Sequence, residues 1–278
     1  MVAERTNLKR KGIPPLPEGE RFPALIICEM TTLSIMPPTL PAVHILDLPV
    51  NHVDMSTALD TIDLFVRQGG PHHIITADAS MMVMAQQDTQ LRSIIANADL
   101  ITPDSEGILW AARQQGKALP ERVSGVEIVE RLCERSASRG YRLYFLGAAP
   151  GIADKAKECM EAKYPGAQIV GTRDGFFGEQ DLPDVLEGIR ACRPDILCVA
   201  MGIPKQEKWI QAHREALNVS VLIGVGGTLD VLSETVKRAP VIMRRLKLEW
   251  LWRVISNPRK ISKVLLLPRF VVMVKRKK

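Results

Sequence analysis

Apolar positions along this chain follow two spacings in turn, that of strands and that of helices. Residues 43–50 (VHILDLPV) predict a first strand. Residues 56–66 place Ala58, Ile62, Leu64 and Phe65 at helical spacing before Gly69-Gly70-Pro71 stops the helix. His73 to Thr76 (HIIT) predict a short buried strand, then Ala77-Asp78-Ala79 and a helix through Met81, Met82, Met84 and Ala85, where the methionines fill core. Further helices are predicted over residues 126–137, 152–163 and 182–191 and through Trp209, Ala212 and Leu217, with strands over 141–146, 168–171, 195–200 and 219–225. Strands alternating with helices at this spacing predict an α/β fold, a parallel sheet covered by helices on both faces. In such sheets ligands sit at the carboxyl ends of the strands. The loops on that edge bring Thr76, Asp78, Gly147, Gly202, Gln206, Gly226 and Asp230 within reach of one cleft.

Between the second strand and the helix at 126 lies the stretch ITPDSEGILWAA, residues 101–112. Ile94, Ile95, Ala96, Leu100 and Ile101 lead into Thr102-Pro103. Pro103 cannot donate to a ladder and turns Thr102 away from helical geometry, so an element ends there. Asp104 and Ser105 are both suited to cap a helix starting near Glu106, with Ile108, Leu109 and Ala112 facing inward. Taken alone, Asp104 reads as an N-cap.

The chain has 278 residues, 46% hydrophobic and 24% charged, enough for a sizeable core. It divides into a Pro-rich N-terminal extension (residues 1–42), an α/β domain (43–236) and a C-terminal appendage (237–278). Five cysteines, Cys28, Cys133, Cys159, Cys192 and Cys198, are odd in number and form no CxxC. A reducing compartment, no disulfide framework and no zinc site are expected. Adjacent His72 and His73 point to opposite faces of a strand, which argues against a metal pair, and no HExxH, DxD or GxSxG occurs. The apolar patch at residues 24–28 is short for a signal-peptide core and no apolar run reaches 18 residues, so a cytoplasmic, non-spanning protein is expected.

The net charge of +6 conceals an asymmetry. Residues 237–278 carry 14 Lys plus Arg and a single acid, Glu249, whereas residues 1–236 carry 23 basic and 30 acidic side chains. An acidic body with a basic tail predicts an anionic partner for the tail.

Two loops offer chemistry. Gly147-Ala-Ala-Pro-Gly151, between strand and helix, suits a nucleotide diphosphate through close backbone approach and free helix N–H groups. It matches GxGxxG poorly, and no acidic residue ends the next strand to hold a ribose, which argues against a dinucleotide. Gly202-Ile-Pro-Lys-Gln-Glu-Lys-Trp-Ile210 puts Lys205, Gln206 and Glu207 at the mouth of the expected cleft; a solvated helix start would read the same way.

The order of motifs is more specific. IITADA at Thr76, TPDSEG at Asp104, ERVSG at 121–125, YFLGAAPGIADKA, YPGAQIVGTRDGFF, MGIPKQEKWI, VGGTLD, KRAP and LEWLWRVISNPRK follow one another from about Val43 to Lys260. In this order they resemble the WecG/TagA/CpsF glycosyltransferase family, over roughly three quarters of the chain. The resemblance implies a Rossmann-like α/β domain with a C-terminal appendage. It also implies inverting, metal-independent transfer of an N-acetylmannosamine-type sugar from a UDP-sugar donor to a polyprenyl-diphosphate-linked acceptor, with no cofactor. It assigns Asp104 as the general base, with Thr76 and Gln206 lining the same pocket. Arg122 would balance diphosphate charge. Asp78, Gly147, Gly151, Gly202, Lys205, Glu207, Gly226, Gly227, Asp230, Arg238 and Arg253 complete the expected substrate-binding set. Two positions depart from the family pattern: Asp78 stands where the family has Asn, and Ser105 where it has Gly. A second carboxylate beside Asp104 would raise the base's pKa or repel a donor diphosphate.

In the tail, Arg244, Arg245, Lys247, Arg253, Arg259, Lys260 and Lys263 interleave with Leu246, Leu248, Trp250, Leu251, Trp252, Val254 and Ile255, and VLLLPRFVVMVKRKK follows. This pattern predicts an interfacial segment on an anionic membrane rather than a span, with the protein held at the inner face of the cell membrane. No nucleic acid is expected as a partner, since aromatics are 5% and no stacking motif occurs. A second copy of the chain remains an open partner. Two other classes stay in view: a NAD-dependent or nucleotide-sugar-binding protein on the same sheet, and a non-catalytic membrane-bound scaffold.

Overall fold

The computed structural model describes residues 40–236, 243 and 265–277. The extension up to residue 39 and most of the tail, with Arg238 and Arg253, lie outside the described residues. The described chain opens with a hairpin, β1 (Ala42–Ile45) and β2 (Leu48–Asn51), followed by α1 (Met55–Gln68). Next come β3 (His72–Ala77), α2 (Ala79–Met84), α3 (Thr89–Ala96), β4 (Leu100–Pro103), α4 (Glu106–Gln114) and α5 (Gly125–Arg139). A second run gives β5 (Arg142–Gly147), α6 (Ile152–Lys163), β6 (Gln168–Arg173), α7 (Leu182–Cys192), β7 (Ile196–Ala200) and α8 (Lys205–Leu217). It ends in β8 (Val221–Gly224) and α9 (Thr228–Leu232); α10 (Leu266–Arg276) is the last described helix.

Strands β3 to β8 form one six-stranded parallel sheet in the order β4-β3-β8-β7-β5-β6. Side-chain alternation splits the core. Leu143, Phe145, Cys198 and Ile223 face α1, α5, α6 and α9, whereas Tyr144, Leu146, Val199 and Leu222 face α7 and α8. On that second face, over β3 and β4, a further cluster joins Ile75, Ala77 and Ile101 to α2, α3, α4, α10 and the hairpin. The parallel α/β arrangement is the one expected from the alternation of elements.

One element differs. Residues 43–50 fold as two strands around a tight turn, not as one strand. Leu46 and Asp47 both take positive φ (51° and 66°), the two-residue geometry that suits hairpin twist. Neither is the Gly or Asn that normally marks such a turn, so apolar alternation runs through it unbroken.

The far end of α5 is anchored by a buried acid. Asp63 of α1, 2% exposed, pairs with Arg135 Nη1 at 2.6 Å and Arg139 Nη1 at 2.5 Å and accepts from the Tyr141 hydroxyl. Burial, reinforced by that carboxylate, pushes the Tyr141 phenol up to about 12. Fixing this end of α5 fixes its start, which borders Asp104. Cys133 and Cys198 lie buried in the same layer as free thiols, and burial raises both pKa values, Cys133 to about 12.

Candidate active site

At the carboxyl edge of β4, Pro103 stays in register with Ala77, and its carbonyl accepts from Val123 N–H at 2.9 Å. Asp104 then donates its N–H to Ala77 O at 2.9 Å. Its carboxylate Oδ2 accepts from Gly125 N–H, the first residue of α5, at 3.3 Å. Of the two residues able to cap α4, Ser105 is the cap: its Oγ accepts from Ile108 N–H, and also from Ala79 N–H, each at 3.3 Å. The reading of Asp104 as the N-cap is therefore corrected. Half-buried and bonded to another helix, its carboxylate lies beside the positive start of α5.

Thr76, 6% exposed, donates its hydroxyl to Gly224 O at 2.9 Å and so ties the end of β3 to β8. A Cβ on Gly125 would stand 3.4 Å from Thr76 Oγ1 and 3.6 Å from Thr228 Oγ1. These are ordinary contact distances, so the start of α5 packs directly over the ends of the strands at Thr76 and Thr228. Gln206 joins two further loops, its Oε1 accepting from Gly202 N–H at 3.0 Å and from Gly226 N–H at 2.9 Å. Its Nε2 donates to Glu207 Oε1 at 2.7 Å. Gly224 leaves room for this pair, since a Cβ there would fall 2.6 Å from Gln206 Nε2.

The expected charged triplet at the mouth of the cleft is corrected on burial. Gln206 and Glu207 are 1% and 0% exposed, and Lys205 alone faces solvent, with Nζ 6.0 Å from the centre of the Phe177 ring. Gly147 answers to strand packing: its φ is +121°, and a Cβ would lie 2.4 Å from Ala200 O. Gly151 is the left-handed residue before α6, whose first turn carries Asp154, hydrogen-bonded to the Thr172 hydroxyl. Gly227 precedes α9, and half-buried Asp230 lies within it. Arg122 lines a cavity of about 300 Å³ with Met55, Glu121, Glu127, Glu130, Arg131 and Tyr164, which does not take in the other expected residues. The loop carrying Arg122 is nonetheless stitched to the end of β4, Val123 N–H donating to Pro103 O and Gly125 N–H to Asp104 Oδ2. One edge therefore brings together Thr76, Asp78, Asp104, Gln206, Gly202 and Gly226. A partly exposed carboxylate on a rigid strand end, flanked by a helix start, is equipped to accept a proton from a hydroxyl group.

A family model described as Glycosyl transferase WecG/TagA/CpsF family matches residues 43–278. The chain belongs to this family. The match continues past Lys260, the end of the ordered motifs, to Lys278. Relatives include an N-acetylglucosaminyldiphosphoundecaprenol N-acetyl-β-D-mannosaminyltransferase of Bacillus spizizenii, 31% identical over 81% of this chain and 90% of that protein. A Staphylococcus aureus protein of the same name is 27% identical over 85% of this chain and 93% of its own length. The chain is a glycosyltransferase by family.

In this glycosyltransferase Asp78 and Ser105, the two positions expected to depart from the family pattern, each have a local role. Asp78 is the N-cap of α2, its Oδ1 accepting from Met81 N–H at 2.7 Å and Ser80 Oγ at 2.6 Å. Ser105 caps α4 and bridges to α2. The sequence reading passed over Gly125, Gly224 and the second bond of Ser105. Ser124-Gly125 ahead of a helical apolar run was a usable capping signal for the first; the other two depend on contacts between distant segments.

Proposed function

We propose that this glycosyltransferase moves an N-acetylmannosamine-type sugar from a UDP donor to a polyprenyl-diphosphate-linked sugar, with inversion and without a metal, in cell-surface polymer synthesis. The relatives' names supply the sugar and the acceptor class. One observation carries the mechanism: Asp104 leaves its own helix to Ser105 and is steadied by Gly125 N–H at the carboxyl edge. From there it takes the proton of the acceptor hydroxyl as that oxygen attacks the donor's anomeric carbon and UDP departs. Such a base contributes roughly 10²–10⁴-fold. Thr76 and Gln206 hold the strand ends and loops that frame it, and Arg122 offsets diphosphate charge. Gly151, Gly227, Lys205 and Asp230 face the donor, together with the tail residues Arg238 and Arg253, while buried Gln206 and Glu207 hold the loops of Gly202 and Gly226 in place beneath it.

A lipid-linked acceptor and the basic, apolar tail support a reading in which the enzyme attaches to the inner face of the membrane through residues 237–278. Among the described residues no helix is long and apolar enough to cross a bilayer. The last helix exposes Leu265 just before it and Val272 within it, beside Arg269, Lys275 and Arg276. Truncation before Lys237 is expected to abolish sedimentation with anionic liposomes; undiminished sedimentation would refute attachment. The activity itself is tested by incubation with a panel of UDP-N-acetylhexosamines and lipid-diphosphate acceptors, scored by product mass. One added N-acetylhexosamine on the acceptor is expected. No product from any pair, together with saturable NADH binding, would overturn the reading.

A further inference from the structure

We infer that Phe270 of α10 is a positioning residue for Asp104, acting through the first turn of α4; this rests on the reading of Asp104 as the base. Phe270 is 1% exposed, although it lies eight residues from the end of the sequence. Its Cε1 stands 3.6 Å from where a Cβ on Gly107 would be, and its ring centre is 6.5 Å from that of Trp110. Gly107 and Trp110, three residues apart, share the face of α4 that meets this ring.

Gly107 follows Asp104 by three residues. A Cβ there would lie 3.1 Å from Ala79 Cβ and 3.7 Å from Ser105 Oγ. The missing side chain lets the starts of α2 and α4 close on each other at Ala79, with the Phe270 ring in van der Waals reach of the same point. Ser105 Oγ links the same two helix starts through two bonds of 3.3 Å each, already long for hydrogen bonds. Asp104 is the next residue back, suspended between Ala77 O and Gly125 N–H. Removing the Phe270 ring leaves a void against the first turn of α4, into which that turn relaxes. The turn carries Ser105, and Asp104 moves with it relative to Gly125. A displacement near 1 Å costs roughly 10²-fold in rate while leaving distant binding contacts in place.

The test uses the full-length protein in the transfer assay, with UDP binding by calorimetry and thermal unfolding measured on every variant. Phe270→Ala is expected to lower kcat roughly 10- to 100-fold with the donor KM and the UDP affinity unchanged, and Phe270→Leu to recover most of the loss. Gly107→Ala, which presses a methyl against Ala79 at the point where Phe270 meets α4 and does not empty the core, is expected to shift the same turn and lower kcat, and covers the case in which Phe270→Ala does not fold. Val274→Ala, also buried and one turn further along α10, serves as the packing control and should keep its kcat. Wild-type kcat in Phe270→Ala, or in Gly107→Ala where Phe270→Ala does not fold, or an equal loss in Val274→Ala, would overturn the inference. Asp104→Asn run alongside separates the two layers: if it stays active, the base reading fails; if it is inactive while Phe270→Ala is fully active, the coupling alone fails.

Discussion

Asp78 and Asp104 occupy corresponding places in neighbouring loops. Each is the first residue after a strand, β3 and β4 respectively, and each is followed closely by a helix on the same face of the sheet. Their carboxylates nevertheless do different things. Asp78 abuts its helix directly and is consumed as the cap, bonded to Met81 N–H and Ser80 Oγ. Asp104 stands one residue further from its helix; Ser105 takes the capping role, and the carboxylate turns to Gly125 of α5. A single intervening residue thus separates an acid spent on local structure from one that faces the start of α5 at the carboxyl edge of the sheet. It also bears on Asp78 as a second carboxylate beside the proposed base: its Oδ1 already accepts two hydrogen bonds at the start of α2.

The largest expected effect is on rate. Asp104→Asn should lower kcat by roughly 10²–10⁴-fold, while Asp78→Asn, which keeps a capping oxygen, should leave turnover near that of the parent enzyme. Equal losses in the two variants would erase the distinction between them.

The next effect separates β3 from β4 by stability. His73 of β3 is 1% exposed, and burial, with Arg214 nearby, brings its pKa down from 6.5 to about 3. The unfolded chain therefore takes up a proton that the folded chain refuses. The full contribution is present above pH 6.5 and is lost as pH falls from there toward 3, at about 1.4 kcal/mol per unit. Denaturant midpoints measured from pH 7 to pH 4 should fall less steeply for His73→Leu than for the parent. Parallel slopes would mean that another group governs the acid response.

Smaller still are the caps. Asp78→Ala should cost about 1 kcal/mol of stability and Asp78→Asn only a few tenths. Ser105→Ala should cost about 1 kcal/mol, and Ser105→Gly a few tenths. A loss of several kcal/mol from Ser105→Gly would show that its bond to Ala79 N–H carries more weight than its cap.

The parallel sheet and most of its helices were legible because burial on both faces writes long apolar runs, and Gly140, Gly166 and Gly202 punctuate them. The hairpin at residues 42–51 was not, since Leu46 and Asp47 turn the chain without a turn residue. Thr76, Asp104 and Gln206 were legible as strand-end polar groups. What each bonds was not, because Thr76 to Gly224 and Gln206 to Gly226 join segments that only the sheet order brings together. Burial of Glu207 beneath Gly224 was hidden for the same reason: a Lys-Gln-Glu triplet at a helix start reads as solvated until its neighbour lacks a Cβ. The apolar C-terminal run was read as interfacial; in the structure one stripe of α10, Phe270 and Val274, is buried against α2 and α4, and the other face carries the exposed residues.

The central claim is that Asp104 moves a proton and does not hold the donor. It is tested most directly by measuring UDP-sugar affinity and single-turnover transfer on the same preparation of Asp104→Asn. Affinity like that of the parent with transfer abolished is the predicted result. Transfer at the parent rate would contradict it.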